Sequence, residues 1–243
     1  MNNNKVVLIT GASRGIGREI AIAFAAAGYS VAANYNKDSE KAYSLKTEIE
    51  KSGGKCELYK CDVSDHIAVK QMAKAVCAVF GKIDVLVNNA AVCRDRTIVN
   101  MSESEWDEVL GTGLSGPFYI IQEVVELMPS GGGAVINIAS IAGVRGNHGG
   151  ANYAAAKAGL ISLTKTAAKE FGHKGITVNA VLPGFHPTDM GKTMPEKYVS
   201  KILEESVLNR TTDIKELAAF VVFISGLKSV SGQVFNVDSR MVR

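Results

Sequence analysis

The stretch Val6-Val7-Leu8-Ile9-Thr10-Gly11-Ala12-Ser13-Arg14-Gly15-Ile16-Gly17 decides the fold. Its apolar, β-branched opening predicts a buried strand over residues 6–10. The spacing after Gly15 predicts a helix over residues 15–27, closed by Gly28. Three glycines fill the turn between them. Gly11 permits the turn, Gly15 lets a pyrophosphate approach the backbone, and Gly17 allows helix and strand to pack closely. The N-terminus of the helix then faces the anion. A glycine-rich stretch alone says little; flanked by strand and helix in this order, it predicts a nucleotide site.

The same alternation runs on through the chain. Strands are expected at residues 30–34, 56–61, 83–88, 134–140, 176–182 and 233–237. Helices are expected at 39–51, from Ser64 or Asp65 through 80, at 102–128, 152–171, 196–208 and 213–224. Ser102 with Glu105 forms a capping-box pattern at the start of the longest of these. Regular β-then-α order implies an α/β fold: a doubly wound, Rossmann-type parallel sheet of about seven strands with helices on both faces. No linker or repeat divides residues 1–243, so a single dinucleotide-binding and catalytic domain is expected. In such folds ligands gather beyond the carboxyl ends of the strands. Gly11 to Gly17, Asn88 to Ala91, Ser140 and Pro183-Gly184 all fall at those ends.

Composition bounds the function. At 243 residues and 25.8 kDa, with 47% hydrophobic and 21% charged residues, the chain is that of a globular enzyme. Its net charge of +3 includes no dense basic run, which argues against nucleic acid. Cys56, Cys61, Cys77 and Cys93 form no CxxC pair and have no histidine at zinc-ligand spacing; reduced thiols and no metal are expected. No apolar stretch approaches the ~20 residues of a membrane span. The first strand begins at Lys5, which leaves no room for a signal peptide, so a cytoplasmic location is expected.

The chemistry centres on Ser140, Tyr153 and Lys157. Tyr153 and Lys157 stand four apart and share a helix face. An ammonium beside a phenol favours the phenolate and lowers a pKa that is ordinarily ~10. A serine hydroxyl at a strand end can hold a carbonyl oxygen beside that phenol. This is apparatus for protonating an alkoxide as a hydride arrives, and the glycine turn provides a place for the hydride donor.

The end of the second strand, Ala32-Ala33-Asn34-Tyr35-Asn36-Lys37, carries no acid for a ribose 2′-hydroxyl, while Arg14 and Lys37 offer positive charge. NADP(H) is therefore favoured over NAD(H). Ser13, Arg14 and Ile16 would line the phosphate turn, and Asn34, Tyr35 and Asn36 the adenosine ribose. Asp62-Val63 is placed either to bracket an adenine or to cap the next helix. Asn89, Ala90 and Ala91 suit a tight turn against the cofactor.

Taken together, these stretches resemble the short-chain dehydrogenase/reductase family over essentially the full chain, and within it the bacterial 3-oxoacyl-[acyl-carrier-protein] reductases. The resemblance rests on residues 10–17, 88–91, Ser140 with Tyr153 and Lys157, residues 175–179 and residues 183–190. It implies that Ser140 orients a substrate carbonyl and that Tyr153 is the general acid. Lys157 would lower the phenol pKa and bind the nicotinamide ribose, with Pro183, Gly184 and Thr188 along the nicotinamide end. It also implies a substrate borne by acyl carrier protein or coenzyme A, a homotetramer built on the two long helices, and a lid over about residues 185–210.

Three features depart from that pattern. Gly113 stands where relatives carry an asparagine that holds a water of the proton relay. Ser239-Arg240 replaces a Gly-Gly pair where relatives pack subunits. Lys174 matches one basic carrier-docking position, but the other falls among residues 131–133, so Arg94, Arg96 and Arg145 are candidates to compensate. His148 reads as a loop residue and His186 as part of the lid. Cys93 reads as packing. Two alternatives stay open: an NADP-dependent dehydrogenase of another alcohol, sugar or steroid, and a weakly catalytic cofactor-binding partner protein.

Overall fold

A computed structural model of the chain describes residues 5–186 and 196–240. Seven parallel strands form one sheet in the order β3-β2-β1-β4-β5-β6-β7. The strands are β1 (Val6–Ile9), β2 (Ser30–Tyr35), β3 (Lys55–Lys60), β4 (Val85–Asn88), β5 (Ala134–Ile138), β6 (Thr177–Leu182) and β7 (Val234–Asn236). Strand order reverses between β1 and β4, where Ile9 pairs Ala33 on one side and Val87 on the other. That reversal opens the crevice in which ligands of such sheets bind.

Helices cover both faces: α1 (Gly15–Ala26), α2 (Ser39–Lys51), α3 (His66–Phe80), α4 (Glu103–Leu110), α5 (Gly116–Val124), α6 (Ala142–Arg145), α7 (Ala151–Phe171), α8 (Glu196–Glu205) and α9 (Ile214–Ser225). Every residue of β1 is buried, and side chains alternate between two cores. Val7 and Ile9 join Ile20, Phe24 and Val221 under α1 and α9. Leu8 joins Val69, Leu86 and Ile120 under α3 and α5.

Short polar side chains start several helices as the sequence predicts. Asp65, rather than Ser64, caps α3 by accepting from the Ile67 and Ala68 N–H groups at 2.9 and 3.1 Å. Ser102 and Glu105 close a reciprocal capping box on α4.

The helix expected over residues 102–128 is not continuous. After α4 the backbone makes a π turn (Gly111–Ser115), resumes as α5, and ends in a 3₁₀ turn (Val125–Leu127). The Gly116 N–H reaches back to the Gly111 carbonyl. Gly111, Gly113 and Gly116 each weaken a regular helix by ~1 kcal/mol relative to alanine. Close packing against neighbours takes over: a Cβ on Gly116 would lie 3.0 Å from the Val63 carbonyl oxygen, and one on Gly113 3.2 Å from Ala156 Cβ. Two smaller corrections follow. The short α6 went unread, because four residues carry no periodicity. Helix α8 stops at Glu205 rather than 208, before Asn209 adopts a positive φ of 48°.

Candidate active site

The β1–α1 turn is built around Gly11, whose φ of +62° suits glycine. Asn34 holds that turn: its Oδ1 accepts from the Gly11 N–H at 3.2 Å, and its Nδ2 donates to the Cys61 and Tyr59 carbonyls at 3.0 and 3.2 Å. Asn34 is buried, so its side chain is spent on the scaffold rather than turned to the ribose as the sequence reading expected. Across the crevice, Thr10 Oγ1 accepts from the N–H groups of Asn89 and Ala90 at 2.9 and 3.0 Å. Asn89 Nδ2 returns bonds to the Thr10 and Gly11 carbonyls at 2.9 and 3.1 Å. The two loops expected to hold the cofactor are thus stitched together.

Gly17 sits at the tightest point. A Cβ there would lie 2.4 Å from Asn89 Nδ2 and 2.5 Å from the Gly11 carbonyl oxygen. Gly17→Ala is expected to cost about 1–3 kcal/mol of stability by overpacking. It should also weaken dinucleotide binding about tenfold or more, since the crevice must open; thermal unfolding and titration calorimetry check both.

The turn fits an anion. Where α2, α3, α4 and α9 begin under an Asp or Ser side-chain cap, α1 has no side-chain cap and no acid in its first turn. Its leading N–H groups are therefore available to phosphate oxygens. Arg14 is the exposed N-cap residue, with buried Ser13 before it and half-buried Ile16 after it. Tyr35 is buried at the end of β2. Asn36 Nδ2 donates to Asp62 Oδ2 at 2.9 Å, while Asp62 Oδ1 accepts from the Ser64 N–H and hydroxyl at 3.0 and 2.7 Å. Asp62 therefore does not cap α3. Burial pushes its carboxyl up, but the Ser64 and Asn36 bonds and the Lys37 charge outweigh this and hold it below the usual range. Val63 is buried against Gly116.

Ser140, Tyr153 and Lys157 meet beyond the end of β5. Lys157 is 2% exposed, and its Nζ donates to the Ile138 carbonyl at 2.7 Å and lies 5.6 Å from the Tyr153 ring centre. The Ser140 hydroxyl lies close enough to the Tyr153 phenol to favour its ionised form. Ser140 Oγ also accepts from the Ala142 N–H at 3.2 Å, which starts α6. Gly143 lets α6 lie on α7, since a Cβ there would be 2.6 Å from the Lys157 carbonyl carbon.

The electrostatics correct the expectation of a lowered phenol pKa. Burial first, then the electrostatic influence of the neighbouring Cys93 and Asp95, push the Tyr153 phenol well above its ordinary value; the Ser140 hydroxyl opposes them. Lys157 is itself pushed down to about 8, chiefly by burial. Loss of water outweighs mutual help between the two groups. Tyr153 is consequently held fully protonated at neutral pH, the state of a proton donor.

One residue of this neighbourhood was missed in the sequence. Asn152 is fully buried; its Nδ2 donates to the Arg94 and Glu105 carbonyls at 3.0 and 3.1 Å, and its Oδ1 accepts from the Tyr153 N–H at 2.8 Å. It ties the phenol-bearing turn to two other segments, and the only signal was its adjacency to Tyr153. Cys93, read as packing, lies close enough to act electrostatically on both Tyr153 and Lys157, with burial raising its thiol to about 11.

At the other end, Gly184 follows Pro183 with φ +79°. His186 is buried rather than displayed on a lid, with Nε2 2.7 Å from the Pro183 carbonyl. Burial is the leading cause that keeps its imidazole below the ordinary value. Thr188 and the other residues of 187–195, part of the expected lid, lie outside the described residues. His148 is exposed on its loop. The basic residues considered for carrier docking all face carboxylates: Arg94 with Glu108 at 2.8 Å, Arg96 with Glu105 at 3.4 Å, Arg145 with Glu205 at 3.3 Å, and Lys174 with Glu126 at 2.6 Å. Exposed pairs of this kind contribute ~0–1 kcal/mol each and exchange readily. Among the described residues no cluster of three or more His, Cys, Asp or Glu is arranged to hold a metal. No described helix is long and apolar enough to cross a membrane.

Known proteins match this arrangement along nearly the whole chain. A family model described as Enoyl-(Acyl carrier protein) reductase covers residues 11–239. A 3-oxoacyl-[acyl-carrier-protein] reductase of Staphylococcus epidermidis is 43% identical over 241 residues, 98% of this chain and 99% of that protein. Its counterpart from Thermotoga maritima is 41% identical over 98% of both chains. Among solved structures, a dehydrogenase/reductase from Sinorhizobium meliloti superposes with a TM-score of 0.92 at 31% identity, covering 97% of this chain and 94% of that one. A variant of actinorhodin polyketide ketoreductase, solved with NADPH, superposes with a TM-score of 0.93 at 28% identity, covering 100% of this chain and 99% of its own. By fold, site and sequence the chain belongs to the short-chain dehydrogenase/reductase family.

Proposed function

We propose that the protein reduces the ketone of a 3-oxoacyl thioester, carried on acyl carrier protein, to the 3-hydroxyacyl thioester with NADPH. The observation that carries this reading is the convergence of Ser140, Tyr153 and Lys157 beyond β5, beside the crevice that Gly11, Gly15 and Gly17 open. The names of the relatives favour a thioester over a sugar or steroid.

A reduced nicotinamide held in the β1/β4 crevice would supply the hydride. The chain's own residues manage the oxygen. Ser140 donates a hydrogen bond to the substrate carbonyl, stabilising the negative charge that develops there. Tyr153, protonated at neutral pH, passes its phenolic proton to that same oxygen. Lys157 lies behind the phenol and would hold the nicotinamide ribose. Gly11, Gly15, Gly17, Asn89, Ala90 and Ala91 would line the phosphate and nicotinamide path, with Pro183, Gly184 and Thr188 beyond. Asp62 and Val63 would face the adenine.

Arg14 supports NADPH over NADH: it is exposed beside the phosphate turn, and among the described residues it makes no ion pair or hydrogen bond through its side chain. Arg14→Ala is expected to weaken NADPH about tenfold, the size of one lost charge-assisted bond, and leave NADH unchanged. An equal loss for both nucleotides removes the 2′-phosphate assignment.

We place the working protein in the cytoplasm as a homotetramer. Trp106 and Phe118 leave an apolar face exposed on α4 and α5 that a second copy would cover. The substrate reading is tested by NADPH oxidation with acetoacetyl thioesters against a panel of free ketones, sugars and steroids. Faster turnover of any free carbonyl overturns it.

A further inference from the structure

After β7 the backbone folds back on itself. Asn236 Nδ2 donates to the Asp238 and Arg240 carbonyls at 3.3 and 2.8 Å. Asp238 Oδ1 accepts from the Arg240 N–H at 3.2 Å, while its Oδ2 takes Arg240 Nε at 2.6 Å and Nη2 at 2.5 Å. Both side chains are withdrawn from water, at 5% and 10% exposure. An arginine held this way is a fixed fork and not a floating surface charge.

This turn has neighbours on two sides. Toward the crevice, Asp238 lies against Gly184: a Cβ at 184 would be 3.1 Å from Asp238 Cγ and 2.3 Å from Thr212 Oγ1. Gly184, at φ +79°, makes the turn that leaves β6 for the expected nicotinamide end. Toward α8, Ser206 pairs with Arg240 in an antiparallel bridge, the Val207 N–H donates to the Ser239 carbonyl at 3.3 Å, and the Ser206 and Ser239 hydroxyls hydrogen-bond. One residue earlier, Glu205 reaches Arg145 on α6, the helix that follows Ser140. The segment just beyond α8 is therefore tied to the support of Gly184 by backbone and hydroxyl bonds, with an exposed ion pair reaching toward the Ser140 segment.

We propose that Arg240, with Ser239, is a positioning residue that locks the foot of α8 to the Gly184 turn and so shapes the acyl side of the site. The Arg240 side chain bonds Asp238, its backbone bridges Ser206 just beyond α8, and Ser239 supplies the other bonds to that segment. Loss of Arg240 strands a buried carboxylate, which must swing toward water and release both neighbours at once. The consequence for acyl binding rests on the reading of the protein as a 3-oxoacyl thioester reductase.

The test pairs kinetics with hydrogen exchange on the full chain without substrate. Arg240→Ala is expected to raise KM for acetoacetyl thioester about tenfold while kcat falls less than about threefold, the signature of lost binding and not of lost chemistry. Amide exchange over residues 200–208 should accelerate about tenfold, with α7 unchanged; Arg240→Lys should recover part of both effects. Ser239→Gly keeps the ion pair and removes only the hydroxyl contact, so it reports on the α8 foot even if Arg240→Ala fails to fold; it should accelerate exchange at residues 206–208 alone. Unchanged exchange at residues 200–208 in every variant, or equal acceleration in α7, overturns the proposal. If exchange responds as expected but the parent chain turns over no thioester, the brace stands and the substrate reading falls.

Discussion

Tyr153→Phe turns over a 3-oxoacyl thioester about 10³-fold more slowly than the parent chain, while NADPH affinity changes less than about twofold. The size follows from removing a general acid, which supplies ~10²–10⁴-fold. The ring remains to pack on α7, so the loss belongs to the proton and not to the scaffold. The pH dependence carries the same signature. Because burial holds the phenol above its ordinary value, the acid is fully loaded at neutral pH. Reduction by the parent chain should therefore hold level at neutral pH and decline above about 8, as Lys157 loses its proton. The reverse oxidation needs a proton acceptor and should rise in that alkaline range. A variant that keeps a tenth of parental turnover would assign the proton to another group.

Lys157→Met is expected to move activity and stability in opposite directions. Turnover should fall about 10²-fold or more, since the cation behind the phenol is gone. Stability should rise. Lys157 has a folded pKa of about 8 against an ordinary value of 10.5, lowered chiefly by burial. For a cation, a depressed folded pKa means that below about 8 the folded chain carries a charge it would rather not bury. Between about 8 and 10.5 the unfolded chain binds more protons than the folded one, so stability climbs with pH; above that window both forms are neutral.

Methionine keeps the stem and removes the charge. Its advantage is thus greatest below about 8 and fades as pH rises through the window. The gain is on the order of 3 kcal/mol, less about 1 kcal/mol for the orphaned Ile138 carbonyl. Thermal unfolding of the two proteins across pH measures it, at ~2–4 °C per kcal/mol for a chain of this size. A less stable Lys157→Met below about pH 8 would mean that the bond to Ile138 outweighs the burial penalty.

How much of this was legible before folding depends on how local each cause is. The β1–α1 turn was readable because strand, glycines and helix are adjacent in the chain, and the structure places them as expected. The Ser102–Glu105 capping box was readable for the same reason. The break at Gly111 to Ser115 was only half visible. Glycines announce weakness, but whether a helix stops, kinks or bulges is settled by the Val63 and Ala156 atoms packed against it. Asn34 looked like a ribose contact from its place at a strand end. Its direction was set by the carbonyls of Tyr59 in the neighbouring strand and of Cys61 just after it.

By itself, the sequence determined the doubly wound parallel sheet, the glycine cradle and the shared helix face of Tyr153 and Lys157, because periodicity and spacing along one chain encode these directly; the roles of Ser140, Tyr153 and Lys157 came from the family resemblance. Tertiary structure alone decided the protonation of Tyr153 and Lys157, the bulge at Gly111 to Ser115 and the burial of Arg240 against Asp238. Each depends on which distant segments exclude water or supply a partner. The charge of Lys157 could be read from its letter, but its willingness to carry that charge is a property of the walls around it.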